Sequence, residues 1–301
     1  MRVTHAAAPR FLPTVTLAAL LACALPGQAA AAPTPRAAAV TCASEDHPGI
    51  ARQLERGLRT ALQGRPGTAA FAVHDARRGL DCSYHAGRRI ETASVAKLMI
   101  MQAVAYRAKL EHRTLSPSEK QQLRPMITAS DNNAASRLWS HVGRERMQRF
   151  VEKAGLGDTE LGWGRYWGLS QTTARDQLIL LDHLTRKDSP LATPASRAYM
   201  RDLLAHIRTG QRWGVTAGAP AGARVRLKNG WLPRPSGGWR VHSVGTVGGG
   251  DRDYRIAVLT TGSASMDTGV RTVERVARAV HAELGDPAPQ SREGRVLTDQ
   301  D

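Results

Sequence analysis

The sequence predicts an α+β fold: one sheet assembled from two distant segments, with an all-helical lobe inserted between them. Three observations predict it. Strand-like apolar patterns occur near both ends of the chain, at Ala69–Val73 and Leu80–His85 and again from Arg224 to Thr261. The residues between about 94 and 209 read mainly as helix. Helical periods also precede the first strands and follow the last ones. Strands split in this way around a helical block pair most simply as a single sheet with the helices beside it.

Residues 1–32 have the layout of a cleaved secretory signal peptide: Arg2 and Arg10, an apolar run from Phe11 to Leu25, then Gln28-Ala29-Ala30-Ala31-Ala32. Leu20-Leu21-Ala22-Cys23 also resembles a bacterial lipobox, which offers the alternative of a lipoprotein anchored through Cys23. The run is short for a membrane span, and no other segment is long and apolar enough to be one. Residues 33–45 read as a linker. Asp46–Gly64 carries Ile50, Leu54, Leu58, Ala61 and Leu62 at helical spacing. Arg77-Arg78-Gly79 is a turn between the first two strands. From Ser94 to about Leu110 the pattern is apolar over most of its circumference, which predicts a buried helix. Ser116-Pro117-Ser118-Glu119 starts another helix. Asp131–Trp139, Arg144–Ala154 and Thr172–Leu184 follow, the last capped by Thr172 or Thr173. Arg224–Lys228, Trp239–Val247 and Tyr254–Thr261 read as strands, Thr268–Leu284 as a closing helix, and 285–301 as a disordered tail. The domain is therefore expected at 46–284, with sheet parts at about 46–93 and 210–284 and the helical lobe at about 94–209.

The formal charge is +16 and the isoelectric point near 10.9. The arginines are scattered rather than clustered beside aromatics, so the charge gives no ground for a nucleic-acid partner. It implies solubility, the alternative being a weak affinity for anionic polymers that would leave an exported chain associated with the cell wall. Beyond the signal segment two cysteines remain, Cys42 and Cys82, and an even pair in an exported chain suggests a disulfide. The ten histidines show no short spacing to carboxylates or thiols, so neither a metal nor another cofactor is expected.

Three short strings carry the chemistry: Ser94-Val95-Ala96-Lys97, Ser130-Asp131-Asn132 and Lys228-Asn229-Gly230. Ser94 and Lys97 are three apart on a helix and share a face. A serine hydroxyl needs a base to take its proton. Lysine serves as one when burial and neighbouring positive charge lower its pKa. Each string alone is common, but their order and local setting together resemble the active-site elements of penicillin-recognising serine hydrolases. They are most similar to the class A β-lactamases. Val258–Ser263 followed by Met266-Asp267 is similar to that family's closing strand, so the resemblance covers about residues 46–284. It implies an antiparallel sheet flanked by the first and last helices, with the serine at the junction with the helical lobe.

The resemblance also implies roles. Ser94 is the nucleophile, Lys97 its base and Ser130 the relay to the leaving nitrogen. Asn132 binds Lys97 and the substrate amide, and Asp131 is structural. Lys228 presents a positive charge to Ser130 and to a substrate carboxylate. Asn229, standing where the family has Thr or Ser, donates to that carboxylate. Gly230 permits close approach, and the N–H groups of Trp231 and Ser94 form an oxyanion hole.

One element departs from the pattern. The family's loop glutamate, which directs water onto the acyl-enzyme, has no counterpart in 155–171, a short stretch carrying Trp163, Tyr166 and Trp167 with Asp158 and Glu160 as its only carboxylates. The three aromatics are expected to pack the loop, the alternative being that they wall the site. Acylation with slow deacylation follows, unless Lys97 or Glu160 supplies the missing base. The expected activity is an exported, monomeric β-lactamase-like hydrolase of β-lactams or related amides. The alternatives are a D-alanyl-D-alanine peptidase acting on peptidoglycan stem peptides, and a non-catalytic penicillin-binding sensor.

Overall fold

A computed structural model describes residues 39–65 and 68–285. The signal segment, Cys23 and the tail beyond Gly285 lie outside the described residues. Six strands form one antiparallel sheet in the order β1-β3-β2-β8-β7-β6: β1 (Thr41–Ala43), β2 (Thr68–Asp75), β3 (Leu80–Tyr84), β6 (Arg224–Leu232), β7 (Trp239–Gly249) and β8 (Arg252–Ser263). The N-terminal and C-terminal strand groups join where β2 pairs with β8, from Thr68↔Thr261 to Asp75↔Tyr254. The sheet is thus built from two distant segments, as the pattern predicts.

Adjacent residues of β8 show how the faces are covered, because successive side chains of a strand point to opposite sides. The Tyr254 hydroxyl meets His281 of α8 (Met266–Leu284) at 2.7 Å, whereas Arg255 reaches Thr185 of α6 (Ala174–Thr185) at 2.6 Å. Helix α8, packed with α1 (Pro48–Leu62), therefore covers one face and α6 the other. The lobe consists of α2 (Ala96–Leu110), α3 (Pro117–Thr128), α4 (Asn132–Val142) and α5 (Arg144–Lys153). Helix α2 is its axis. Leu98, Met99, Ile100, Met101 and Val104 are all buried, as a helix apolar over most of its circumference requires. Helix α3 opens at the expected start, where Ser116 and Glu119 form a capping box, and Thr173 caps α6.

Several elements differ from the sequence reading. Thr41–Ala43, inside the stretch read as a linker, is the edge strand β1, and Cys42 lies opposite Cys82 of β3 and is disulfide-bonded to it. A run of three residues is too short to show a period. Helix α7 (Pro194–Ala205) falls in the helical region but carried no bounds of its own. Strand β6 runs on through Lys228-Asn229-Gly230 to Leu232 instead of ending there. A two-stranded ribbon, β4 (Ile90–Glu91) with β5 (Gln171–Thr172), was also not anticipated. It matters for function, because it ties the residues before Ser94 to the end of the aromatic loop. Among the described residues no helix is long and apolar enough to cross a membrane.

Candidate active site

Ser94 sits in a 3₁₀ turn (Ala93–Val95) that leads straight into α2, and Lys97 lies in the first turn of that helix. Ala93, immediately before Ser94, has φ +45°, and Ser130 has φ +58°. Left-handed backbone at a residue bearing a Cβ carries strain and tends to be retained where it aims a group. At Ser130 both the carbonyl and the hydroxyl face Lys97. Asp131 then caps α4 by accepting from the Ala134 N–H at 2.7 Å, so it is structural, and Asn132 opens that helix.

These elements converge on the Lys97 amine. Its Nζ lies 2.9 Å from Ser94 Oγ, 3.0 Å from Ser130 Oγ, 2.8 Å from the Ser130 carbonyl and 2.7 Å from Asn132 Oδ1. The side chain is fully buried. Burial lowers its pKa from the usual lysine range to about 7, against a smaller opposing pull from Asp131.

The strand side is arranged differently. Gly230 presses against the turn that carries Ser94: a Cβ there would stand 2.8 Å from the Val95 N and 2.9 Å from the Ser94 N. Lys228 is buried, with its pKa pushed well below the ordinary range by burial and secondarily by Lys97. Its Nζ donates to the Asn229 carbonyl at 2.8 Å, and among the described residues no hydrogen bond joins it to Ser130. The expected Lys228–Ser130 link is thus not formed; the amine is satisfied by its own strand. The Asn229 amide departs further. Both of its N–H groups donate to carbonyls of the neighbouring loop, Gln211 at 2.9 Å and Trp213 at 3.0 Å, and the side chain is buried. It holds the loop rather than presenting a donor to a carboxylate. Trp231 pairs with Val241 in the ladder, and its ring leans on Trp213 at 6.1 Å between centroids.

The aromatic loop closes on itself through the paired backbones of Glu160 and Gln171. Its three large rings separate. Trp163 is 80% and Tyr166 60% exposed, with Trp163 stacked on Arg144. Trp167 instead turns inward and places its ring 4.7 Å from Lys97 Nζ. The expectation of packing therefore fails for Trp163 and Tyr166, which are exposed, whereas the partly buried Trp167 packs on the core with its ring against Lys97, the position the alternative of a wall requires. Neither carboxylate reaches it: Glu160 is exposed, and Asp158 pairs with Arg175 at 3.6 Å. The sequence had no signal for Trp213 or for Thr92, whose hydroxyl donates to the Trp167 and Gly168 carbonyls. The disulfide of Cys42 and Cys82 joins strands β1 and β3 at the sheet edge away from β6.

With this geometry in view, comparison with known proteins is specific. A sequence model described as "Beta-lactamase enzyme family" matches residues 110–284, more than half of the chain. The protein named "Putative lipoprotein LppW" from Mycobacterium tuberculosis is 29% identical over 220 residues, spanning 71% of this chain and 69% of its own length. A class A β-lactamase from Bacteroides cellulosilyticus superposes with a TM-score of 0.68 at 19% identity, covering 78% of this chain and 98% of the other. A β-lactamase from Sphaerobacter thermophilus gives 0.66 at 20% identity, covering 79% and 99%. These structural likenesses bear on the fold, and the sequence match on kinship. The chain belongs to the β-lactamase enzyme family.

Proposed function

We propose that this protein is an exported serine hydrolase that opens a β-lactam or a related amide by forming an ester on Ser94, and that it releases the acyl group slowly. One observation carries the reading: the surroundings of Lys97. An ammonium has three protons, yet four oxygens stand within 3.0 Å of Nζ. Two of them, the Ser130 carbonyl and Asn132 Oδ1, can only accept. A neutral amine satisfies both with its two N–H groups and turns its lone pair to a hydroxyl, and Ser94 Oγ at 2.9 Å is placed to donate into it. A lysine pKa near 7 is suited to that role.

In the acylation step Ser94 Oγ attacks the amide carbonyl carbon and its proton passes to Lys97. The C–N bond then breaks, and the leaving nitrogen takes a proton through Ser130, which Lys97 resupplies. The N–H of Ser94, with that of Trp231, is assigned to the developing oxyanion. Hydrolysis requires water to attack the ester carbon with Ser94 leaving as the alcohol. The loop holds no carboxylate against Ser94 or Lys97 among the described residues, which supports slow release. The same absence favours a second reading, a peptidase acting on peptidoglycan stem peptides. Export rests on the layout of residues 1–32, and the lipoprotein name of the LppW relative supports anchoring through Cys23 as its alternative.

Incubation with a fluorescent penicillin followed by intact-mass spectrometry tests this. The expected result is an adduct on Ser94, absent in Ser94→Ala, that decays slowly to hydrolysed product. An adduct that never decays points to a sensor. Absence of any adduct at saturating penicillin rejects the covalent mechanism for β-lactams.

A further inference from the structure

We infer that Trp167 is the positioning residue of Lys97: its indole roofs the amine, excludes water from it, and so keeps it a neutral base beside Ser94. The inference rests on the proposed role of Lys97, but its principal test needs no acyl donor.

The residue is fixed from several sides. Its indole Nε1 donates to Ser136 Oγ at 3.1 Å, and its backbone carbonyl accepts from the Ser170 hydroxyl at 2.8 Å and the Thr92 hydroxyl at 3.3 Å. The loop around it is anchored by the Trp139 Nε1, which donates to the Gly164 carbonyl at 2.9 Å, and by Arg144, which donates to the Gly162 carbonyl at 2.7 Å. The Thr92 N–H donates to the Ser170 carbonyl at 2.8 Å beside the β4–β5 ribbon, so roof and nucleophile turn share one support. Swinging the indole out would break its bond to Ser136, while the backbone that carries it stays tied to Ser170 and Thr92.

Two effects of the ring on Lys97 oppose each other. An aromatic face attracts the ammonium and raises its pKa. The same ring displaces water that would solvate the charge far better, which lowers it. The charged groups that act on the amine are Asp131, from the turn before α4, and Lys228, from β6. The aromatic loop contributes no carboxylate to balance them. Exclusion of water therefore dominates, and a loop that could have supplied an acid supplies dryness instead.

The protein has six lysines, so the side-chain 13Cε resonances of the labelled full-length chain can be followed individually, with Lys97→Arg identifying the signal. Trp167→Ala is expected to raise the Lys97 midpoint by about one pH unit or more as water enters. Trp167→Leu, which keeps an apolar cover without an aromatic face, is expected to leave it within about half a unit of wild type. If Trp167→Ala leaves the midpoint unchanged or lowers it, the roof does not set the protonation state and the inference is wrong. It is equally wrong if Trp167→Leu titrates like an ordinary lysine. Should Trp167→Ala fail to fold, Trp167→Gln, a larger side chain whose polar end admits water to the amine, takes its place with the same expected rise. As a second readout, the penicillin adduct of a folded Trp167→Ala protein should decay about ten-fold faster. If wild type forms no adduct at all, the acylation proposal falls while the titration still judges the roof.

Discussion

The two walls of the site were equally visible as sequence strings, yet they are built on different principles. On the helix wall Ser94, Lys97, Ser130 and Asn132 point their polar atoms at one another, all within 3.0 Å of a single nitrogen. On the strand wall Lys228 and Asn229 spend their donors on backbone carbonyls of their own strand and of the adjoining loop. What the strand wall brings to Ser94 is backbone, pressed close because residue 230 has no side chain. Buried lysines stand on both walls, but only one is surrounded by acceptors. A shared string therefore locates backbone reliably, while the partners of its side chains are set by whatever packs next to them.

The largest expected effect tests the helix wall. Lys97→Met should slow adduct formation on Ser94 by about 10²–10⁴-fold, the usual worth of a general base. In wild type the acylation rate should rise with pH through about 7, where the amine loses its proton, and level off above it. The linkage to stability has a definite sign. The folded-state pKa lies below the unfolded value of 10.5, so between about 7 and 10.5 the unfolded chain binds more protons, and this group makes stability rise with pH. Lys97→Met should remove that part of the slope in denaturant titrations at pH 7 and 10. A pH-independent acylation rate in wild type would assign the base elsewhere.

The contact between the walls comes next. In Gly230→Ala the new methyl meets backbone nitrogens of the nucleophile turn rather than a side chain that can move aside. The turn must shift, at a cost of about 1–3 kcal/mol in stability. A displacement of that kind at the nucleophile should slow acylation by about 10²-fold. Stopped-flow acylation and thermal melts read the two effects separately, and an unchanged rate would show that β6 backbone does not shape the site.

Lys228→Met separates the lysines. Its amine is buried with one hydrogen bond and beside a second amine, so replacing it by an apolar chain of similar length should raise the unfolding free energy by about 1–3 kcal/mol. Lys97→Met, which strands two obligate acceptors, should not stabilise the protein. If Lys228→Met is the more destabilising of the two, the strand wall is held by that lysine in a way its hydrogen bonds do not show.

Most of the architecture was legible because it rests on long periodic signals. The largely apolar circumference of α2 and the helix start at Ser116-Pro117 left little freedom. Strand β1 and the β4–β5 ribbon are two or three residues long and carry no period, so they appear only once their partners do. Within the site, Asn132 and Ser130 reach Lys97 through local backbone geometry that the Ser-Asp-Asn string encodes. Trp167 acts on Lys97 across 70 residues of sequence, Thr92 through bonds 75 and 76 positions away, and Trp213 accepts from Asn229 16 positions on; no local pattern reveals such partners. Asn229 shows the converse: its identity looked like a mild change in a binding string, and its partners make it a loop anchor.

That reassignment yields the smallest and most discriminating effect. Asn229→Ala removes two hydrogen bonds and leaves the Gln211 and Trp213 carbonyls without their donor, which should cost about 1–2 kcal/mol. Because the loop carries Trp213, whose ring leans on Trp231, loosening it should also disturb whatever that aromatic pair contacts. Asn229→Thr is the sharper variant. It installs the residue that the resemblance would have placed there, but a hydroxyl is too short and has only one proton to span both carbonyls. If Asn229 served a substrate carboxylate, Thr would preserve or improve acylation by a carboxylated β-lactam, and stability would hardly change. As a loop anchor, it makes Asn229→Thr about as unstable as Asn229→Ala, with no gain in acylation over wild type. Melting and adduct formation measured on the same three proteins decide between the two, because the carboxylate role moves the rate and the anchor role moves the melt.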